Sequence, residues 1–442
     1  MPESAEGLPT LDAAVTTDRP TRTRFVALGL ISVGTAVNYL DRAVLGVAAP
    51  LLGRQLHLGA DALGLLFSAF SWTYVAAQIP GGVALDRFGT RLIYGLAMGV
   101  WSLFTLLQGA VSGMGALLGC PLGLGVAEAP CFPGNSRVLG AWFPQAERAR
   151  ANGVFSLGEY VGLAFFSPVL FWIAAQWGWR ALFLLAGTIG LLFTAVWLVL
   201  YRDPGRSRLV NQAELAHIAK GGGLVSAPPS PRWSWSSMRL LLSNRDFLGA
   251  ALGQFASNSI LVFFLTWFPT YLASAHHLKM RTAGFLAAVP YIAASLGVLF
   301  GGWCSDALIK RTGSATLARK APIVTGLAMA STLLFASFVH SDAAVIAILS
   351  FVFFGQGMCN LGWTLITDLA PPDLRGLTTG MFNFFTNVAG IVTPAVIGVI
   401  LGTTHSFVGG LAFVSAIALL GILCYLVLLG PVRTIKLRLP TA

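Results

Sequence analysis

Twelve apolar stretches follow one another along this chain, at residues 25–50, 62–85, 92–112, 115–138, 150–175, 180–201, 247–273, 282–306, 321–340, 343–366, 376–401 and 407–430. A helix of roughly 20 apolar residues crosses about 30 Å of hydrocarbon. Inside a bilayer each backbone N–H and C=O must be satisfied within its own segment, so stretches of this kind predict helices. The composition removes a soluble alternative: 56% of the 442 residues are hydrophobic and only 10% charged, with a mean hydropathy of +0.76. The expectation is an all-α membrane protein of twelve transmembrane helices. Met1 to Thr21 is polar and contains proline, and it does not read as a cleavable signal, so the first apolar helix is expected to be retained.

The net charge of +11 does not point to nucleic acid, because the basic residues are sorted by side. With the N-terminus on one side, 23 of the 28 Lys and Arg fall on that side. Four fall on the other (Arg54, Arg180, Lys279 and Arg281), and Arg42 lies within a span. This bias predicts cytoplasmic termini, an N-tail over 1–24 and a C-tail over 431–442. Cys120, Cys131, Cys304, Cys359 and Cys424 all sit in apolar spans without a CxxC spacing, and read as free buried thiols. His276–His277 falls in a loop with no further ligand nearby. No metal and no cofactor are expected.

The chain divides at a polar linker, 202–246, which contains RDPGRSRL, APPSPR and a short amphipathic piece, NQAELAHIAK. Six spans precede it (25–201) and six follow (247–430). The halves echo each other. GGVALD at 81–86 matches GGWCSD at 301–306, and Pro144, Arg148, Gly153 and Phe155 recur as Pro371, Arg375, Gly380 and Phe382, each 227 residues on. A duplication of six-helix units predicts two pseudo-symmetric bundles that rock about a central site.

Charge inside the spans marks that site. Asp41 and Arg42 stand side by side between VALGLISVGTAV and AVLGVAAPLLG, and Glu128 and Glu159 are the other acids deep in spans. A charge at membrane depth costs on the order of 3 kcal/mol, so a mere anchor would not keep one. An anion would compete with the carboxylates for the planar fork of Arg42, and protonating the acids would free that fork. At a span end, the loop GGVALDRFGTR (81–91) carries two close-packing glycines, Gly81 and Gly82, with Asp86, Arg87 and Arg91 beside them. Its charges can pair with a helix end or with the other half, and Asp306 is the echo. This is the expected gate.

These motifs carry a resemblance. GGVALDRFGTR between spans two and three, the twelve spans and the duplication are similar to the major facilitator superfamily. NYLDRAVLGVAAP (38–50), SWTYVAAQIPGG (71–82), GVAEAPCFPGNSRVLGAWFP (125–144) and RARANGVFSLGEYVGLAF (148–165) resemble its anion:cation symporter family, and within it bacterial sugar-acid carriers of the galactonate and glucarate type. The resemblance covers nearly the whole chain. It implies a secondary active transporter, monomeric in the inner (plasma) membrane, that imports an organic anion with protons by alternating access. Asp41 and Glu128 match the proton-carrying carboxylates and Arg42 the cation that binds substrate. Tyr74, Trp363 and Asn383 match pocket positions; Asn387 shares the face of Asn383. Glu159 stands where galactonate-type relatives tend to have Gln. Pro121 stands where relatives commonly carry Arg, two turns before Glu128.

An enzyme would need a nucleophile–base pair or metal cluster, and no His, Cys or Ser grouping supplies one. A membrane sensor would carry a larger soluble domain than the linker. Sodium coupling and an aromatic acid of the phthalate type remain the alternatives for ion and cargo.

Overall fold

The structure, a computed structural model, describes residues 20–223, 235–274, 280–371 and 374–435. His276–His277 and most of both tails lie outside them. The described chain is helical, without strands. The first half comprises α1 (Thr23–Leu56), α2 (Ala60–Phe88), α3 (Thr90–Ala110), α4 (Met114–Glu128), α5 (Cys131–Trp142) and α6 (Gln145–Leu200). Two short helices, α7 (Gln212–Lys220) and α8 (Trp235–Leu242), follow in the linker. The second half comprises α9 (Arg245–Thr266), α10 (Phe268–Ser274), α11 (Met280–Thr312), α12 (Ala315–Ala330), α13 (Asp342–Met358), α14 (Gly362–Leu369), α15 (Arg375–Thr404) and α16 (Phe407–Leu423).

Eleven continuous helical stretches among the described residues are long and apolar enough to cross a membrane. They make twelve passes, because one of them, Arg150–Leu200, holds two. At Gly178 the backbone leaves the helix, with φ 76° and ψ −178°, a region that favours glycine. The chain doubles back there. A Cβ on Gly162 would stand 2.9 Å from Ala36, and one on Gly190 would stand 3.7 Å from Val37. Residues 28 apart thus meet neighbouring positions of α1, which a straight helix about 42 Å long over that interval could not do. Span four breaks into α4 and α5 at Pro130, and span ten breaks at Cys359–Leu361 before α14.

The described chain ends and the linker share one side of the molecule, called here the terminus side. The Thr21 backbone N–H donates to Asn211 at 3.2 Å, and the Gly430 N–H donates to Asp246 at 2.7 Å. The amphipathic piece forms α7, and its buried Glu214 accepts from the Thr23 and Arg24 backbone N–H groups at 3.0 and 3.2 Å. Those N–H groups open α1 and have no partner within their own helix. A carboxylate some 190 positions away therefore caps the first span.

Close approaches between the halves lie on the far side. Gly64 of α2 backs onto α15, where a Cβ would come within 2.7 Å of the Pro394 carbonyl and 3.0 Å of Gly398 Cα. Gly284 of α11 backs onto α6, where a Cβ would come within 2.6 Å of Phe171 Cβ. Gly64 and Gly284 are 220 apart, the spacing of the echoed GG–D motifs, and Phe171 and Gly398 are 227 apart. The duplication thus appears as a crossed contact in which each half lends its second span to the other's fifth. Gly46 against Leu265, and the edge-on pair Phe67–Trp267 at 5.2 Å, complete the seal. Ion pairs on the terminus side, Arg137–Asp86, Arg319–Asp368 and Arg24–Glu147, each stay within one half. The glycine and aromatic contacts close the molecule on the far side.

Candidate functional site

Between the halves, just inside the far-side seal, lies a pocket with about 730 Å³ of empty space, its open mouth included. The first half contributes Asp41, Arg42, Phe70, Ser71, Gln108 and Pro121 to its wall; the second contributes Asn258, Thr266, Asn387 and Gly390, with Leu261, Val262 and Leu265. Gly390 leaves room for Ser71 Oγ against its backbone, so the two halves touch at the pocket's far end.

Arg42 is held from three sides. Its guanidinium lies over the rings of Phe70, Tyr74 and Tyr39, with centroids at 4.7, 4.9 and 5.3 Å, a cation–π cage worth on the order of 1 kcal/mol per well-placed ring. Its Nε donates to Glu128 Oε1 at 2.6 Å. Its Nη2 also lies against that oxygen, off the line of a hydrogen bond. Glu128 is wholly buried, and its Oε2 has no hydrogen-bond partner among the described residues. Beside the pair, α4 presses onto α2. A Cβ on Gly125 would stand 2.9 Å from the Tyr74 nitrogen, and Thr73 Oγ1 donates to the Leu122 carbonyl at 2.7 Å.

Asp41, the adjacent residue on α1, points to a different partner. Trp101 Nε1 of α3 donates to Asp41 Oδ2 at 3.0 Å, while Oδ1 is buried and unpartnered. Gln108, two turns after Trp101 on α3, is 2% exposed and its amide Nε2 likewise has no partner among the described residues. A buried polar group without a partner is costly. The pocket thus carries unused hydrogen-bonding capacity on the wall that also bears its charge.

The other expected residues fall around this core. Tyr74 stands behind Arg42 as part of its cage. Glu159 lies beside the Tyr39 hydroxyl and leaves Oε1 without a partner. Asn387 is on the pocket wall, and its amide nitrogen donates to Asn383 Oδ1 at 2.8 Å, so Asn383 supports it from one turn away. Trp363 packs edge-on against Phe382 at 5.2 Å, off the pocket wall. Pro121 is on the wall itself, buried. Sequence reasoning missed Trp101, Phe70, Tyr39, Gln108, Asn258 and Thr266. Asn258 and Gln108 had a usable signal, a side-chain amide in an apolar run; the aromatic residues had none.

The gate residues divide. Gly81 does bring helices together, since a Cβ there would stand 3.0 Å from the Pro130 ring. A Cβ on Gly82 would meet nothing within 4 Å. The echo repeats this: Gly301 abuts Met358 and Gly302 faces open space. Asp86 pairs with Arg137 of its own half, Arg91 donates to the Leu198 carbonyl at the end of α6, and Arg87 lies over its neighbour Phe88. Asp306 is exposed, and Arg319 next to it bonds Ser305 and Asp368. The five cysteines are free; Cys120, Cys131 and Cys359 are buried, Cys304 and Cys424 half-buried.

Known proteins match this chain along most of its length. The model of the Major Facilitator Superfamily matches residues 31–394. The "Probable galactarate/D-glucarate transporter GudP" of Escherichia coli (strain K12) is 40% identical over 96% of this chain and 98% of its own length. The "D-galactonate transporter" of Escherichia coli O6:H1 is 38% identical over 96% and 100%. Among solved structures, a bacterial homologue of the human lysosomal transporter Spinster, inward-facing and unoccupied, superposes with a TM-score of 0.69 over 92% of this chain and 96% of its own, at 16% identity. That likeness speaks to the fold alone. Two duplicated six-helix bundles closed over a charged pocket, matched along nearly their whole length, place this chain in the Major Facilitator Superfamily, as a membrane transporter of the kind whose relatives carry sugar acids and not as an enzyme.

Proposed function

We propose that this protein imports a sugar acid together with protons, by alternating exposure of the pocket to the two sides of the membrane. The observation that carries the reading is the caged guanidinium of Arg42, held by one buried carboxylate, Glu128, beside a second, Asp41, on the wall between the halves. The names of the relatives support the cargo, and the amide and hydroxyl groups of Gln108, Asn258, Thr266 and Asn387 suit a hydroxylated chain.

The coupling follows from competition. While Glu128 is ionised it occupies Arg42, and an incoming carboxylate meets its repulsion. A proton on Glu128 releases the guanidinium, which then offers its fork to the substrate carboxylate. Asp41 carries the second proton, held in orientation by Trp101. With both acids neutral and the substrate bound, the charges in the pocket cancel, so the halves can close over it without burying net charge. Opening on the low-proton side reverses the order: the acids ionise, Glu128 recaptures Arg42, and the substrate leaves. The crossed Gly64 and Gly284 contacts form one end of the rocking motion, and the GG–D loops at 81–86 and 301–306 form the other. The terminus side is the cytoplasm, which the charge bias supports.

Purified protein in liposomes tests the reading. A panel of radiolabelled sugar acids is offered with a pH gradient, with a sodium gradient, or with neither. Uphill uptake of at least one sugar acid under the pH gradient alone is expected. Accumulation that needs sodium, or uptake of an aromatic acid in preference to all sugar acids, overturns it. For orientation, cysteines at Gly205 and Ser274 in a background lacking the native five are exposed to an impermeant thiol reagent outside intact cells. Labelling at Gly205 rather than Ser274 would reverse the assignment.

A further inference from the structure

The pocket wall contains one cation, Arg42, and one acid, Asp41. From this charge count we infer that the site takes a monocarboxylate with a hydroxylated tail and discriminates against the dicarboxylate of the same skeleton. The inference rests on the sugar-acid reading above and sharpens it.

Three observations carry it. First, Arg42 is the one guanidinium on the pocket wall among the described residues, held by its ring cage and Glu128. Its fork satisfies one carboxylate. Second, the rest of the wall is neutral. Gln108, Asn258, Thr266 and Asn387 provide amide and hydroxyl groups, and Pro121, Leu261 and Leu265 provide only apolar surface. Amides and hydroxyls hydrogen-bond a hydroxyl without needing its charge, whereas a second carboxylate there would be desolvated without a counter-ion. Third, Gln108 is 2% exposed with its amide Nε2 unpartnered. It is a ready donor for a neutral oxygen on the tail, and as a neutral amide it adds no charge to balance a second anion.

The charge sum leads to the same class. With Asp41 and Glu128 protonated, the site carries the single positive charge of Arg42. One carboxylate brings it to neutrality; two leave a net negative charge buried between the halves, which opposes closure.

Galactonate and galactarate make a sharp test, because they share every stereocentre and differ only at the sixth carbon, a hydroxymethyl in one and a carboxylate in the other. The full-length protein is reconstituted, and each acid is measured as an unlabelled competitor of galactonate uptake at pH 7. Galactonate is expected to compete at least about tenfold more strongly than galactarate, the equivalent of 1.4 kcal/mol. Equal or stronger competition by galactarate overturns the inference while leaving the sugar-acid reading in place. If galactonate is not taken up, the same comparison is run with gluconate and glucarate; no uptake of either monoacid and no binding of any of the four acids, read by thermal shift, overturns both. Pro121→Arg adds a guanidinium to the neutral wall, and Leu124→Arg does so from the next turn of α4 should the first variant fail to fold. In whichever folds, the ratio is expected to fall at least about threefold toward the diacid. A ratio unchanged in both would show that wall charge does not set the preference.

Discussion

The two halves share a frame and differ in chemistry. Gly64 and Gly284 make the same contact on opposite partners, Gly81 and Gly301 abut a helix while Gly82 and Gly302 do not, and Gly153 and Gly380 both face open space. Yet the first half holds Asp41, Arg42, Glu128 and Glu159 within its spans, and the second offers the pocket only amides, a hydroxyl and apolar groups. Duplication preserved the surfaces where the halves meet. It did not preserve the charges, because a membrane interior tolerates a charge only where a partner or a pathway repays its desolvation. On the proposed function, one half therefore carries charge and proton, and the other reads the shape of the cargo.

If that division holds, the largest effect belongs to the carboxylates of the first half. Asp41→Asn and Glu128→Gln are each expected to reduce accumulation driven by a pH gradient to background while retaining exchange of substrate across the membrane. Proton-driven accumulation surviving in both would end the division. Next comes Arg42→Lys, which keeps the charge and loses the fork. Substrate affinity is expected to drop about 10- to 100-fold, matching the 1.5–3 kcal/mol of a charge-assisted hydrogen bond. Unchanged affinity, measured by binding to detergent-purified protein, would remove Arg42 from the site.

The second half is expected to respond more gently and in another quantity. Asn258→Ala and Asn387→Ala each remove neutral hydrogen bonds worth about 1 kcal/mol, so KM should rise about fivefold with the proton-to-substrate ratio unchanged. A change in that ratio would show that the second half takes part in coupling. Asn258 also donates to the Thr386 carbonyl at 2.8 Å, so its variant needs a thermal-stability control.

The smallest effect lies outside the membrane. Burial raises the Glu147 pKa, but His217 and Arg24 beside it more than offset that, and the carboxyl sits below its ordinary value. A depressed carboxyl pKa contributes stability above the unfolded value, and that contribution is lost as pH falls through the folded one. Glu147 is partly exposed, so the contribution is on the order of 0.5 kcal/mol. Glu147→Gln should lower the melting temperature slightly at pH 7 and not at all at pH 3. An equal loss at both would mean that charge is not what holds α7 to the first half.

Much of this was legible before any coordinates. Asp41, Arg42 and Glu128 were readable because charge in an apolar run needs a reason, and the spans because hydrocarbon admits few conformations. Trp101, Tyr39 and Phe70 were not, since an aromatic residue in a membrane span is unremarkable until its neighbours are known. The boundary between spans 150–175 and 180–201 was readable, but not that a single residue, Gly178, would make the turn with helix on both sides. Gly82 read as a packing glycine, yet a Cβ there would face open space. Pro121 was readable as a missing charge; that it forms the pocket wall required the fold.

The hydrogen bond from Trp101 to Asp41 has an optical consequence. The indole N–H vibration and the near-ultraviolet absorption of tryptophan both respond to the strength of its acceptor, and a carboxylate is a far stronger acceptor than a carboxylic acid. Proton uptake at Asp41 should therefore write itself into the spectrum of one of the twelve tryptophans, isolated by subtracting Trp101→Phe. If Asp41 takes up the proton as proposed, the transporter carries its own label for it, one hydrogen bond away.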